Sequence, residues 1–166
     1  MAESQLTQIY NFLLIDERWA TAGQPTAAQW VAVKEAGYEM VINLAMPDSP
    51  NALAGEEQLV NALNMAYFSI PVVWDAPTES NLKQFFRIMD AHEGKKRFVH
   101  CIANMRVSAF SFLYRVIRLG VSMDQAQATL YKIWHPNPIW QSFINSELER
   151  RHLQWVDFNG SKEAKI

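Results

Sequence analysis

The sequence is short of the features that would place it outside the cell, across a membrane or on nucleic acid. It has a single cysteine, so no internal disulfide can form, which fits a reducing compartment. It has no apolar run of about 18 residues, the length a membrane-spanning helix needs. Its first ten residues, MAESQLTQIY, lack the basic start and apolar stretch of a signal peptide. These absences together point to a cytoplasmic protein. Charge of either sign is not in excess: 15 Lys and Arg against 17 Asp and Glu leave a net charge of -2. Neither nucleic acid nor a membrane surface is therefore expected as a partner. No repeat, low-complexity segment or linker divides the chain.

What is present is core-forming material. Hydrophobic residues make up 49% of the 166, with nine Phe and six Trp, in the size range of one domain. Residues 12–157 are expected to form that domain, with 1–11 as an N-terminal extension and 158–166 as a C-terminal tail.

The pattern along the chain alternates strand and helix. Phe12–Ile15 and Trp19–Ala20 read as a short hairpin. Gly23-Gln24-Pro25-Thr26 is a turn, with Thr26 as N-cap of a helix that puts Trp30, Val33 and Ala36 on one face and stops at Gly37. Met40–Leu44 is a buried strand by its β-branched run. A helix near Glu56–Leu63 and a strand at Ala66–Pro71, running on to Asp75, follow. Thr78 or Ser80 caps a helix through Asp90, and Arg97–His100 is the next strand. Helical spacing then carries Val107 to Gly120, Met123 to Trp134 and Ile139 to about Trp155. The implied fold is α/β, a central and mostly parallel sheet flanked by helices. Ligand sites in such sheets lie beyond the carboxyl ends of the strands, and Cys101 lies at that edge.

Cys101 ends a strand and opens a helix. Unpaired amides and the positive end of the helix dipole favour an anion there, and the same field favours a thiolate nucleophile. Arg106, on the same loop, carries a planar fork suited to oxyanions. Nucleophile, amide cradle and guanidinium are the parts phosphoryl transfer needs. A free cysteine is in other settings often a small hydrophobe in the core. The company of Arg106, the strand–helix junction and Ser108 argues for chemistry here.

With its His100-Cys101 pair, apolar strand, downstream arginine and Ser108, the segment resembles the cysteine-dependent protein tyrosine and dual-specificity phosphatases. Ile70-Pro71 leading to Asp75 extends the likeness. Gly23-Gln24-Pro25 and Val41-Ile42-Asn43-Leu44 look like a bacterial, phosphatase-like branch of that superfamily. The resemblance covers most of residues 12–150. It implies a phosphatase fold and hydrolysis of phosphomonoesters through a Cys101 phosphothiolate, without metal or other cofactor. It further implies Ile102, Ala103, Asn104 and Met105 as the anion-binding loop, and Asp75 as general acid. Glu79 is the second candidate for that acid. His100 would support the loop through hydrogen bonds, and Ser108 would steady the thiolate or merely satisfy its helix. A phosphorylated protein or small phosphoester is the implied substrate. His92, His135 and His152 lack metal-ligand spacing. Trp74 and Trp134 either rim the cleft or pack in the core.

One departure matters. The family signature places five residues between cysteine and arginine, whereas here Ile102 to Met105 are four. Val107 falls on the family's arginine position and Ser108 on its hydroxyl position. Asn104 replaces the usual glycine, and Asn best tolerates a left-handed turn after Gly. Weak hydrolysis and a tilted approach of Arg106 are the expected consequences. The short spacing also resembles the loop of rhodanese-like sulfurtransferases, in which Cys101 would carry a persulfide. A third possibility is a phosphatase fold that binds an oxyanion or phosphoprotein without turnover.

Overall fold

The computed structural model describes residues 2–158. Most of the tail, residues 159–166, lies outside them. Five strands form one sheet: β1 (Leu13–Asp16), β2 (Trp19–Ala22), β3 (Met40–Asn43), β4 (Ala66–Ser69) and β5 (Arg97–His100). Their order is β1-β2-β5-β3-β4. Only the β1–β2 hairpin is antiparallel; β2, β5, β3 and β4 run parallel. Seven helices surround them: α1 (Ala2–Leu6), α2 (Ala27–Glu35), α3 (Glu56–Ala62), α4 (Glu79–Ala91), α5 (Met105–Ile117), α6 (Met123–Tyr131) and α7 (Pro138–Arg150).

Strand side chains alternate between faces, and this splits the core in two. Ala20, Val41 and Phe98 turn to one side, where Trp30 and Val33 of α2, Val60 of α3, and Leu6 and Ile9 of the N-terminal extension cover them. Trp19, Ile42 and Val99 turn to the other side, against Leu82 and Phe85 of α4, Phe110 and Leu113 of α5, and Trp140 and Ile144 of α7. Cys101 belongs to this second cluster and is 1% exposed.

The local signals explain most element ends. Thr26 and Thr78 close reciprocal capping boxes with Gln29 and Asn81, and Ser122 and Asn137 cap α6 and α7. Several elements differ from the sequence expectation: α1 was not expected, and α5 stops at Ile117 rather than Gly120. β4 stops at Ser69, although the Ile70 and Val72 amides still donate to Asn43 and Leu44 carbonyls; Pro71 between them has no N–H to continue the ladder. α6 stops at Tyr131 rather than Trp134, ahead of the prolines at 136 and 138. α7 ends at Arg150 because His152 takes a left-handed conformation (φ 60°). The chain then doubles back, and Val156 is held to the Asn145 side chain through both its N–H and its carbonyl.

Candidate active site

The central strand β5 delivers Cys101 to the carboxyl edge of the sheet, between the ends of β2 and β3. The loop that follows is tied down through its carbonyl oxygens. The Cys101 carbonyl faces His100 Nδ1 at 3.0 Å, the Ile102 carbonyl accepts from the Gln24 amide at 2.9 Å, and the Ala103 carbonyl accepts from Asn11 Nδ2 at 3.0 Å. A trans peptide unit points its N–H opposite to its C=O, so the N–H groups of Ile102 and Ala103 are turned to the other side of the loop. Gly23 makes this close approach possible. A Cβ there would stand 2.6 Å from the Ile102 carbonyl oxygen, a distance side chains do not tolerate.

Asn104 makes the turn into α5 with φ 64° and ψ 4°. Its buried side chain donates from Nδ2 to the Asn11 carbonyl at 2.8 Å and to Thr21 Oγ1 at 3.0 Å, and so it does not cap the helix. The first ladder bond of α5 runs from the Ser108 amide to the Asn104 carbonyl at 2.8 Å. The amides of Met105, Arg106 and Val107 therefore stand ahead of the ladder, at the positive end of a 13-residue helix. Side chains cap α2, α4, α6 and α7 at this position, whereas α5 has none. An uncapped helix start leaves these N–H groups without a partner inside the helix, on the loop that begins at the Cys101 thiol.

Arg106 is buried. Its Nη1 donates to the Val72 carbonyl at 2.9 Å, and its guanidinium lies 5.9 Å from the Trp74 ring centre. One donor of the fork is thus spent on orienting the side chain. Trp74 is 40% exposed and packs against Trp134 and Trp140, at 5.4 and 5.9 Å between ring centres. Its outer side is exposed and its back is packed. Ser108 Oγ donates to the Met105 carbonyl at 2.8 Å and accepts from Trp134 Nε1 at 3.0 Å. Its hydroxyl therefore serves its own helix and Trp134.

Asp75 lies in an exposed turn just past Trp74 and makes no hydrogen bond or ion pair among the described residues. It shares a surface cleft with Glu79, Ser142, Ser146 and Arg150. Glu79 is paired to Lys83 at 3.6 Å and to Arg150 at 3.8 Å, which leaves it less free than Asp75. Among the described residues no cluster of His, Cys, Asp and Glu could hold a metal ion. No helix among them is long and apolar enough to cross a membrane.

The residue missed by the sequence reading is Glu56. It opens α3 after Gly55, which is left-handed at φ 74°, and its carboxylate points under the Cys101 loop, 5% exposed. His100 Nε2 lies 2.7 Å from Oε2, Tyr67 Oη donates to the same oxygen at 2.6 Å, Asn43 Nδ2 donates to it at 3.2 Å, and Gln24 Nε2 donates to Oε1. Burial pushes the Glu56 carboxyl up. The hydrogen bond and charge of His100, with the Tyr67 and Gln24 donors, outweigh burial and hold it below the ordinary carboxylate range. Tyr67 is pushed up in turn, by burial and by the Glu56 carboxylate. In the sequence Glu56 looks like any first-turn acid. Its one cue is a helix that starts on Gly-Glu with no Ser, Thr, Asp or Asn before it.

No protein-family model matches the chain. A protein of Shewanella putrefaciens CN-32, described as "Putative phosphatase (DUF442)", is 32% identical in sequence and superposes with a TM-score of 0.80 over 91% of this chain and 99% of that one. The core catalytic domain of the PP-IP phosphatase SIW14 of S. cerevisiae, at 12% identity, has a TM-score of 0.69 over 86% of this chain and 91% of that one. TpbA of P. aeruginosa, at 15% identity, has a TM-score of 0.65 over 93% and 90%. These last two establish the fold, that of the cysteine-dependent phosphatases. A "Beta-lactamase hydrolase-like protein" of Xylella fastidiosa is 30% identical over 118 residues, 69% of this chain. The chain spans only 27% of that relative's length.

Proposed function

The chain belongs to the DUF442 family represented by the Shewanella putrefaciens protein, and from that premise we propose that it hydrolyses phosphomonoesters through a phosphothiolate on Cys101. The observation that carries this reading is the loop itself, with its carbonyls tied outward and its amides turned the other way, beside an uncapped helix start and a buried arginine. Such a cradle supplies donors where charge develops on a transferring phosphoryl group.

In the first step the Cys101 thiolate attacks phosphorus. The Sγ–P bond forms, the ester P–O bond breaks, and Asp75 gives its proton to the departing oxygen. In the second step water attacks phosphorus and the Sγ–P bond breaks. The water proton passes to Asp75, and inorganic phosphate leaves with the thiolate restored. The amides of the loop from Ile102 to Met105 and the free donors of Arg106 hold the phosphoryl oxygens in both steps. Asp75 is the acid because it sits just beyond the Arg106-bound segment and carries no partner to compete for its proton. The substrate is a phosphorylated protein or a small phosphoester, and the chain works in the cytoplasm. Phosphate release from a general aryl phosphate by the wild type, absent from Cys101→Ser, is the test; no release from the wild type refutes the hydrolytic reading and leaves oxyanion binding without turnover.

One observation favours a second reading, sulfur transfer. Four residues rather than five separate Cys101 from Arg106, and a smaller cradle suits a sulfur-carrying thiol. Cys101 would take the outer sulfur of thiosulfate as a persulfide, releasing sulfite, and pass it to cyanide as thiocyanate. Thiocyanate formation by the wild type and its loss in Cys101→Ser would move the assignment to this class.

A further inference from the structure

The contacts of His100 constrain its protons. Nδ1 faces the Cys101 carbonyl at 3.0 Å, and a carbonyl can only accept. Nε2 faces Glu56 Oε2 at 2.7 Å. A neutral ring could satisfy both contacts only if Glu56 carried the proton, and the neighbours of Glu56 argue against that. Tyr67 Oη accepts from Asn43 Nδ2 at 2.9 Å, which directs its single proton at Oε2. The amide of Gln24 donates to Oε1 and also to the Pro25 carbonyl at 2.9 Å, which fixes its nitrogen on the carboxylate side. Both carboxylate oxygens are therefore met by donors. His100 itself is fully buried, edge-on to Trp30 at 5.3 Å and beside Phe98, where a charged ring without a counterion would be costly.

We infer that Glu56 is a positioning residue: it holds His100 with a proton on each ring nitrogen, so that Nδ1–H grips the Cys101 carbonyl and turns the Ile102 N–H into the loop. The functional meaning of this rests on the oxyanion-binding reading above, although the grip itself does not. Glu56 touches no substrate and acts only through His100. The pair is neutral as a unit, so its contribution is to orientation rather than to attraction of the anion. Gln24 joins the two parts of the device, because its side chain braces Glu56 while its amide braces the Ile102 carbonyl. A one-residue-shorter loop has fewer amides to lose, and a fixed peptide plane at its first position matters correspondingly more.

Nitrogen-15 NMR of the histidine side chains at neutral pH, in the wild type and in Glu56→Gln, tests the inference. The wild type is expected to show His100 with two protonated ring nitrogens. Glu56→Gln, which keeps the shape but offers an amide N–H to Nε2, is expected to show one protonated nitrogen and a displaced Ile102 amide signal. Its vanadate affinity should fall, though by less than the roughly tenfold step expected for loss of Arg106. A wild type with one protonated nitrogen on His100 overturns the inference, as does a Glu56→Gln protein whose ring and Ile102 signals are unchanged. Failure of the hydrolytic reading would appear elsewhere, as absent phosphate release with the His100 signals as described.

Discussion

The Cys101 loop and the Asp75 turn meet across Arg106, yet they are built on opposite plans. The first is buried at Cys101 and Asn104 and half-buried between them, and each of its carbonyls from Cys101 to Ala103 has a partner drawn from β5, from the turn after β2, or from the segment before β1. The second is anchored on either side of Asp75, where Val72 accepts from Arg106, Trp74 accepts from Trp140 Nε1 at 2.8 Å and the Ala76 amide donates to the Val73 carbonyl at 3.1 Å. Asp75 itself is exposed and free. A cradle for a developing charge gains from being fixed before the substrate arrives. A group that must give a proton to one oxygen and take one from another gains from being able to move. The difference between the two segments is what the proposed two-step phosphoryl transfer would ask for.

Breaking the fixed side at its nucleophile has the largest effect. Cys101→Ser should abolish turnover while vanadate still binds, because the loop amides and Arg106 remain; hydrolysis by the purified Ser protein would contradict the phosphothiolate route. Breaking the exposed side comes next. Asp75→Asn should slow an alkyl phosphate by about 10²–10⁴, the usual worth of a general acid, and an activated aryl phosphate much less. Its thermal stability should stay within about 0.5 kcal/mol of wild type, as for exposed residues without partners. An unchanged rate on the alkyl phosphate would remove Asp75 from the mechanism and bring Glu79 forward. Arg106→Met stands third. It should weaken vanadate binding at least about tenfold, the equivalent of one 1.4 kcal/mol step, measured by titration at one ionic strength. Equal affinities would mean that the guanidinium serves only Val72 and Trp74.

The smallest effect concerns acid stability. Glu56 has its carboxyl held below the ordinary value of 4.5 in the fold, so the unfolded chain takes up its proton first as pH falls. Its contribution to stability is fully present above about 4.5 and is lost on descending through the lower folded value. Glu56→Gln should therefore show a shallower loss of stability below that pH in denaturant melts. Parallel curves for the two proteins would show that the carboxylate is not held down by His100, Tyr67 and Gln24.

The sheet, its flanking helices and the position of Cys101 were legible because they rest on local signals. β-branched runs made the strands, and Thr26 and Thr78 marked helix starts. Ends set by distant contacts were not legible. α7 stops short at the left-handed His152, and Asn145 then captures the returning chain at Val156, an interaction that neither segment announces. Helix α1 was unforeseen because its residues look polar; Leu6 and Ile9 find their burial only against α2 and the sheet. The active loop divides the same way. Cys101, Arg106 and the turn at Asn104 follow from neighbouring residue types. The bracing of that turn by Asn11 and Thr21, and of His100 by Glu56, joins positions 93, 83 and 44 residues apart. Only the assembled sheet edge brings them together.

The central claim is that Cys101 takes a phosphoryl group inside a preformed cradle, and trapping that species tests it most directly. Wild type mixed with an aryl phosphate and quenched in acid within the first turnover should carry a phosphoryl adduct, located to Cys101 by mass spectrometry. The adduct should persist longer in Asp75→Asn, because the base that activates water is missing. A cysteine free of phosphorus at every quench time, and bearing an added sulfur after thiosulfate instead, would contradict the account.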